Sequence, residues 1–238
     1  VYVQLGNWIW DALRFNFGPS YYSRDQTVND ILRRTFPISA QLGVLSLLLA
    51  LLIGIPTGTV AAVKQNTVVD YSATFIAILG VSIPSIVMGP VLIWIFALPH
   101  DFYAGIHYEP IFPVSRWGAK PPFLLGFLPV PDLKFWKYAI LPALTLGSGL
   151  SASITRLTRA SLLQTIHEDY IRTARAKGLS ERVVVVKHAL KNSMIPVVTI
   201  LGPMFAAVLT GTFVVEQIFA IPGMGKHFVT SIGNRDYP

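Results

Sequence analysis

The sequence predicts an all-α protein that crosses a membrane several times. Of its 238 residues, 53% are hydrophobic and only 13% are charged, and the mean hydropathy is +0.55. A soluble domain carries about 25% charged residues, so this chain has too few to cover a water-facing surface. Several long stretches are also uncharged, and about 20 mainly apolar residues suffice for a helix to cross a bilayer.

Four stretches predict membrane spans, at about 36–63, 71–98, 138–160 and 192–215. The third has the shortest apolar run, and it continues past Arg156 if that side chain reaches back to the membrane interface. The chain begins at Val1 rather than Met and shows no signal peptide. We therefore expect it to be a fragment, with residues 1–34 forming a segment outside the membrane.

Basic residues predict the orientation of the four spans. The loops at 64–70 and 156–191 hold nine Lys and Arg in 43 residues, eight of them in the second loop, whereas the stretches on the other side hold ten in 96. The side richer in Lys and Arg is normally cytoplasmic, although Arg33 and Arg34 before the first span point weakly the other way. The loop at 161–191 is therefore predicted to be cytoplasmic and the loop at 99–137 to lie outside.

Glycine and proline interrupt the predicted spans. The segment Gly54–Gly58 has a small residue at each end and a proline inside, and Pro84 and Pro203 break up two later stretches. Such residues serve close helix packing and helix bending, and contact with a transported substrate is the alternative interpretation. Together they favour spans that bend rather than a rigid membrane anchor.

The sequence disfavours several classes of function. The spans hold no Asp, Glu, Lys or Arg away from their ends, whereas self-powered carriers and voltage sensors place charges there. Gly223–Lys226 lacks the remaining residues of a phosphate-binding loop, the five His are scattered and there is no Cys. The net charge of +7 fits topology better than nucleic-acid binding. We expect no enzyme activity, no metal and no nucleic acid, so any driving energy must come from a partner.

The basic loop has the local features of a docking element. Thr165 and Glu168 have the spacing of a capping box, which predicts a helix start, and Gly178 suits the left-handed residue that ends a helix. Ser180 is then placed to begin a second helix that leads into the last span. Ala174 and Ala176 would leave a small surface for another protein to approach. The alternative is a solvated loop that only sets topology.

The loop resembles a known family. The stretch from Asp169 to Arg182 and the segment at 187–196 look like the cytoplasmic "EAA" loop of ABC-importer permeases, most of all the B-type subunits of the oligopeptide branch. Further segments agree in order along nearly the whole chain: 17–20, 27–30, 64–67 with 70–71, 222–225 and 234–237. Only the second Ala and the Gly of the general pattern are kept, at Ala174 and Gly178, which is typical of the peptide-importer branch.

The resemblance implies the type I ABC importer transmembrane domain over residues 35–238, with four of an expected six spans. It implies a multi-pass protein of the bacterial inner membrane that works with a second permease subunit, two ATPase subunits and a periplasmic solute-binding protein. ATP and Mg²⁺ would be bound by the ATPase partners. The residues expected to contact an ATPase form a short coupling helix: Glu168, Asp169, Tyr170, Arg172, Thr173, Ala174, Arg175, Ala176, Lys177 and Gly178.

Small polar residues in the spans are candidates for the substrate path, and helix–helix hydrogen bonding is the alternative. They are Ser82, Ser85, Thr145, Ser148 and Ser151. The outer loop at 99–137 is a candidate for contact with the binding protein, and a loop that is merely folded outside the membrane is the alternative. It is rich in Pro and in aromatic residues, namely Trp117, Phe123, Phe135 and Trp136. The expected cargo is a dipeptide or oligopeptide. Nickel, glutathione, haem or a sugar is the alternative within the same class, and an ATP-independent channel is the alternative outside it.

Overall fold

The computed structural model describes residues 2–22, 25–101, 107–118 and 133–236, and long helices dominate these residues. Two two-residue strands pair antiparallel, with His100 opposite Tyr108. The elements in chain order are α1 Tyr2–Leu13, α2 Val28–Val63, α3 Val68–Ser82, α4 Ser85–Ala97, β1 His100–Asp101, β2 His107–Tyr108, α5 Leu133–Ile166, α6 Asp169–Ala176, α7 Glu181–Val183, a π-helical segment Val184–Ala189, α8 Leu190–Ile218 and α9 Met224–Asn234.

Among the described residues, three helical stretches are long and apolar enough to cross a membrane, and the bent pair of α3 and α4 would be the fourth crossing. This confirms the prediction of an all-α polytopic membrane protein. One end of the bundle carries the turn between α2 and α3 together with α6 and α7, and we call it the basic end. The opposite end carries the start of α2, the strands and α9.

Helix α2 begins earlier than the predicted first span, at Val28 rather than near residue 36. Thr27 and Asp30 form a capping box, in which the Thr27 hydroxyl accepts from the Asp30 amide at 3.2 Å and the Asp30 carboxylate accepts from the Thr27 amide at 3.1 Å. Arg33 and Arg34 therefore lie inside the helix, exposed in its first turns. The predicted segment at 1–34 also contains helix α1, which has no buried residue.

The predicted second span at 71–98 is two helices, and the helix axis bends by 109° between them. Proline disfavours helical backbone in the residue before it, and Ile83 accordingly adopts an extended conformation ahead of Pro84. Helix α3 starts at the basic end, whereas Ala97 at the end of α4 packs with Leu42 and Trp117 near the opposite end. The pair therefore traverses the bundle as one broken span.

The other two predicted spans are longer in the structure. Helix α5 extends from Leu133 to Ile166 rather than 138–160, and it accommodates Arg156 on an exposed face and Arg159 in an ion pair. Helix α8 ends at Ile218 and continues without interruption from the π-helical segment and α7. This confirms the expected helix leading into the last span.

Glycines bring α2 and α5 into close contact. A Cβ atom on Gly54 would lie 2.8 Å from the Ser151 carbonyl oxygen, and one on Gly58 would lie 2.5 Å from that of Thr155. A Cβ atom on Gly147 of α5 would likewise lie 2.9 Å from the Ser46 carbonyl oxygen. These positions therefore serve helix packing, which was the first of the two interpretations of Gly54–Gly58.

Candidate functional site: the helix pair at the basic end

Helix α6 begins at Asp169, and Glu168 is the residue that caps it, with a backbone carbonyl that accepts from the Ile171 amide at 3.0 Å. Asp169 lies in the first turn and Arg175 in the last, where their charges complement the helix dipole. The predicted capping box is wrong, because Thr165 still belongs to α5 and its hydroxyl donates to the Ser161 carbonyl at 2.9 Å. The Glu168 side chain makes no capping hydrogen bond.

Two residues of α6 face the protein interior. Ile171 is fully buried and Ala174 is 7% exposed, and both pack in an apolar cluster with members from three other elements, α2, α5 and the π-helical segment: Ala62, Leu162, Val184 and Ala189, with Leu163 and Ile166 at its edge. Ala174 was expected to offer a small surface to another protein, and this is wrong because its side chain contacts the chain's own core. Ala176 remains exposed.

Polar contacts hold α6 to the two helices that follow it. The Arg175 guanidinium donates to both Glu181 carboxylate oxygens, at 2.7 and 3.1 Å. This hydrogen bonding lowers the pKa of Glu181 and raises that of Arg175. The Asn192 amide donates to the Tyr170 hydroxyl at 2.9 Å, which ties α6 to the start of α8. Arg175 is therefore engaged within the chain rather than free for a partner.

The turn after α6 has the predicted form. Gly178 has φ +77°, the left-handed conformation that glycine adopts without strain. Ser180 is the residue before α7, as expected, but its side chain makes no capping hydrogen bond. The turn therefore sets the direction of α7 by backbone geometry, with the Arg175–Glu181 contact closing it.

The other eight predicted docking residues are exposed. We call them together the α6 outer face: Glu168, Asp169, Tyr170, Arg172, Thr173, Ala176, Lys177 and Gly178. The Arg172–Asp169 contact on this face is 3.4 Å long between highly exposed side chains, so it contributes little rigidity. The inner side of this eight-residue helix is thus packed against the protein, while its outer side is exposed.

A partly buried ion pair near this site escaped the sequence interpretation. Asp70 of α3 and Arg159 of α5 meet at 2.6 Å, with the Asp70 side chain 2% exposed. The sequence did contain an indication of this pair, since Asp70 directly precedes one predicted span and Arg159 lies at the end of another, on the same side of the membrane. Sequence spacing alone does not reveal that α3 and α5 are neighbours.

A cavity of about 480 Å³ lies between α2, α3, α4 and α5. Ser148 and Ser151 are among its lining residues, along with Thr57 and Thr155, so the structure brings together two of the five candidates for a substrate path. Their hydroxyls donate to carbonyls of α5 itself. Thr145 is buried elsewhere in α5, and Ser82 and Ser85 flank the break between α3 and α4.

The aromatic residues proposed for the outer loop are mostly interior. The Trp117 indole donates to the buried Gln41 amide oxygen at 3.0 Å, and Phe135 packs edge-on against Trp117 at 5.3 Å between ring centres. Phe135 and Trp136 belong to α5 rather than a loop. Trp117 and Phe135 are therefore buried in the protein, whereas Trp136 is exposed and Phe123 lies outside the described residues. Contact between the outer loop and a binding protein stays a prediction.

The glycines at 223 and 225 surround a buried carboxylate. Glu216 at the end of α8 is 1% exposed and accepts from the Gly225 amide at 2.6 Å. A Cβ atom on Gly223 would lie 2.5 Å from the Glu216 carboxyl carbon. The chain's own carboxylate thus occupies the start of α9, which explains physically why a segment resembling a phosphate loop is not one.

Known proteins similar to this chain are peptide permeases. It is 42% identical over 226 residues to the dipeptide transport system permease protein DppB of Bacillus subtilis, covering 95% of this chain and 65% of that protein. It is 40% identical over 222 residues to the oligopeptide transport system permease protein OppB of Salmonella typhimurium, covering 93% and 65%. OppB of Haemophilus influenzae is 37% identical over 237 residues, covering 100% and 70%. The chain thus spans less than two thirds of the length of the first two relatives.

A family profile matches residues 54–238, which contain α3 to α9 and the whole helix pair at the basic end. Its members are described as inner membrane components, which agrees with the apolar helices of the structure. The resemblance inferred from the basic loop is confirmed by the profile and by the relatives. The chain belongs to the family of binding-protein-dependent transport system inner membrane components.

Proposed function

We propose that this chain is part of a permease subunit of an ATP-driven, binding-protein-dependent importer of dipeptides or oligopeptides. The relatives named above are permeases of dipeptide and oligopeptide transport systems. The basic end would face the cytoplasm and the opposite end the periplasm, as the density of Lys and Arg indicates. The chain itself would hold no cofactor and catalyse no reaction.

The observation that carries the proposal is the docked helix α6. Its apolar side is fixed in the protein core by Ile171 and Ala174, so the helix moves with the ends of α2 and α5. Its outer face remains exposed and presents an aromatic, a hydroxyl and a cationic side chain, those of Tyr170, Thr173 and Lys177. A helix held in this way suits transmission of a partner's movement into the membrane domain.

The complete assembly would contain a second, homologous permease subunit, two ATPase subunits and a periplasmic solute-binding protein. The ATPase subunits would bind ATP and Mg²⁺ and would contact the α6 outer face. Substrate would pass by the cavity that Ser148 and Ser151 line, where backbone and small hydroxyl groups offer hydrogen bonds to many side-chain types. This suits a cargo recognised for its peptide character.

A crosslinking experiment tests the ATPase contact. The chain has no Cys, so once any Cys in the rest of the full-length permease is replaced, a single Cys introduced here is a unique site for a thiol-reactive photocrosslinker. Thr173→Cys on α6 and Thr230→Cys on α9 are matched probes, since both threonines are exposed and they lie at opposite ends of the bundle. We expect an adduct with the co-expressed ATPase subunit from position 173 only. Equal yields from both positions would contradict the proposed docking site.

Transport in proteoliposomes tests the cargo and the energy source. With the cognate binding protein, we expect ATP-dependent uptake of a radiolabelled dipeptide or tripeptide. Uptake of nickel, glutathione, haem or a sugar with no peptide uptake would assign another cargo to the same class. Peptide flux that is the same with and without ATP would instead indicate a channel.

A further inference from the structure

The ion pair between Asp70 and Arg159 has the geometry of a fixed link. The Arg159 guanidinium donates from Nε to Asp70 Oδ1 at 2.6 Å and from Nη2 to Oδ2 at 2.7 Å. The Asn66 backbone amide donates to the same Oδ2 at 3.0 Å, and Asn66 has φ +60° in the tight turn before α3. The carboxylate is therefore held on both sides, by a planar two-point contact and by the turn.

The position of the pair connects two parts of the protein. Asp70 lies one turn before Ala73, and Arg159 lies one turn after Thr155, and both of those neighbours line the cavity. Leu162 lies one turn further along α5 and packs in the cluster that holds Ile171 of α6. The pair thus lies between the docking helix and the cavity.

Stability alone does not explain the placement of this pair. Taking Asp70 out of water and Arg159 partly out of it incurs a desolvation cost that their attraction often only balances, and an apolar pair of similar size commonly serves as well. Setting the topology does not require burial either, because the exposed Arg156 of the same helix supplies a positive charge. A two-point ion pair between a buried carboxylate and a half-buried guanidinium does fix the relative position of α3 and α5.

We propose that Asp70 and Arg159 are positioning residues that transmit a displacement of α6 and α5 to α3, the wall of the cavity. This inference rests on the proposed function. The link stays closed while the helices move, so α3 follows the end of α5 instead of sliding past it. Without the link, an ATPase would still bind α6 and hydrolyse ATP, but the displacement of α3 at the cavity wall would be smaller.

The test compares variants of the full-length permease in the reconstituted importer with its binding protein, with radiolabelled trialanine as the probe. The variants are Asp70→Asn, Arg159→Gln and the double replacement. Each single variant leaves one charge without its partner and so risks misfolding, whereas the double variant removes both charges and does not carry that risk. Arg159→Lys keeps the charge but loses the two-point contact. Arg156→Gln is the matched control, because it removes the same charge from an exposed position three residues away.

The decisive readout is the number of peptides imported per ATP hydrolysed, with ATPase co-purification measured beside it. We expect this ratio to fall roughly 2- to 30-fold in both single variants and in the double variant, with co-purification unchanged. Arg159→Lys should fall between these variants and wild type, and Arg156→Gln should match wild type. A purely structural role would lower uptake, hydrolysis and co-purification together and leave the ratio unchanged, which would overturn the inference.

A wild-type ratio in the double variant would also overturn the inference. Failure of the proposed function has a different signature, because the wild-type permease itself would then show no ATP-dependent uptake of trialanine.

Discussion

Replacing Ile171 by Ala should detach α6 from the protein. Ile171 is fully buried in the apolar cluster at the basic end, and truncation of a buried Ile to Ala costs about 2–5 kcal/mol. Helix α6 has only 8 residues, and isolated helices shorter than about 12 residues are marginal in water. A loss of about 3 kcal/mol shifts the docking equilibrium roughly 150-fold, since every 1.4 kcal/mol is a factor of ten.

The assay is the affinity of the ATPase subunit for the full-length permease in nanodiscs, together with hydrogen exchange in α6. We expect weaker ATPase binding and faster exchange at residues 169–176, because the undocked helix unfolds. Ile86→Ala is the matched control, since Ile86 is 60% exposed on α4 and its truncation should change neither quantity. Unchanged affinity and unchanged exchange in Ile171→Ala would refute the view that packing of α6 supports docking.

Three further predictions concern the same elements. Gly178→Ala should lower thermal stability by about 1–2 kcal/mol, measured by calorimetry, because the left-handed backbone strains any Cβ. Gly223→Ala should cost about 1–3 kcal/mol by crowding a buried carboxylate, whereas Gly202→Ala, with nothing within 4 Å, should cost nothing. Glu181→Gln should speed hydrogen exchange in α6 at neutral pH. In wild type the bond to Arg175 lowers the pKa of Glu181, so the bond is intact at neutral pH and is lost only as the pH falls through the lowered pKa.

Hydropathy located the spans because the length of an apolar run is a direct consequence of bilayer thickness. It did not locate their ends. The capping box at Thr27 extends α2 by a hydrogen-bond pattern that hydropathy does not report. Pro84 divides a continuous apolar stretch, and whether such a proline kinks or breaks a helix depends on the helices packed around it.

Helix α6 was predicted because the residue that ends it, Gly178, acts locally along the chain. The sequence did not correctly predict which of its residues are buried and which are exposed. Ala174 is buried because α2 and α5 end beside it, and that proximity is a long-range property. Asp70 and Arg159 were missed for the same reason, since 89 residues separate them in the sequence. Local signals thus predicted the element, while its partners within the chain required the fold.

The break between α3 and α4 carries a consequence for what can occupy the membrane interior. Pro84 has no amide hydrogen, so the carbonyl of Gly80 lacks its usual donor within the helix. Gly80 and Ile83 both line the cavity. An unpaired carbonyl is unstable in hydrocarbon and acceptable only beside water or a polar guest. The broken span therefore brings hydrogen-bonding capacity of the main chain to the cavity wall, and that capacity does not depend on any side chain.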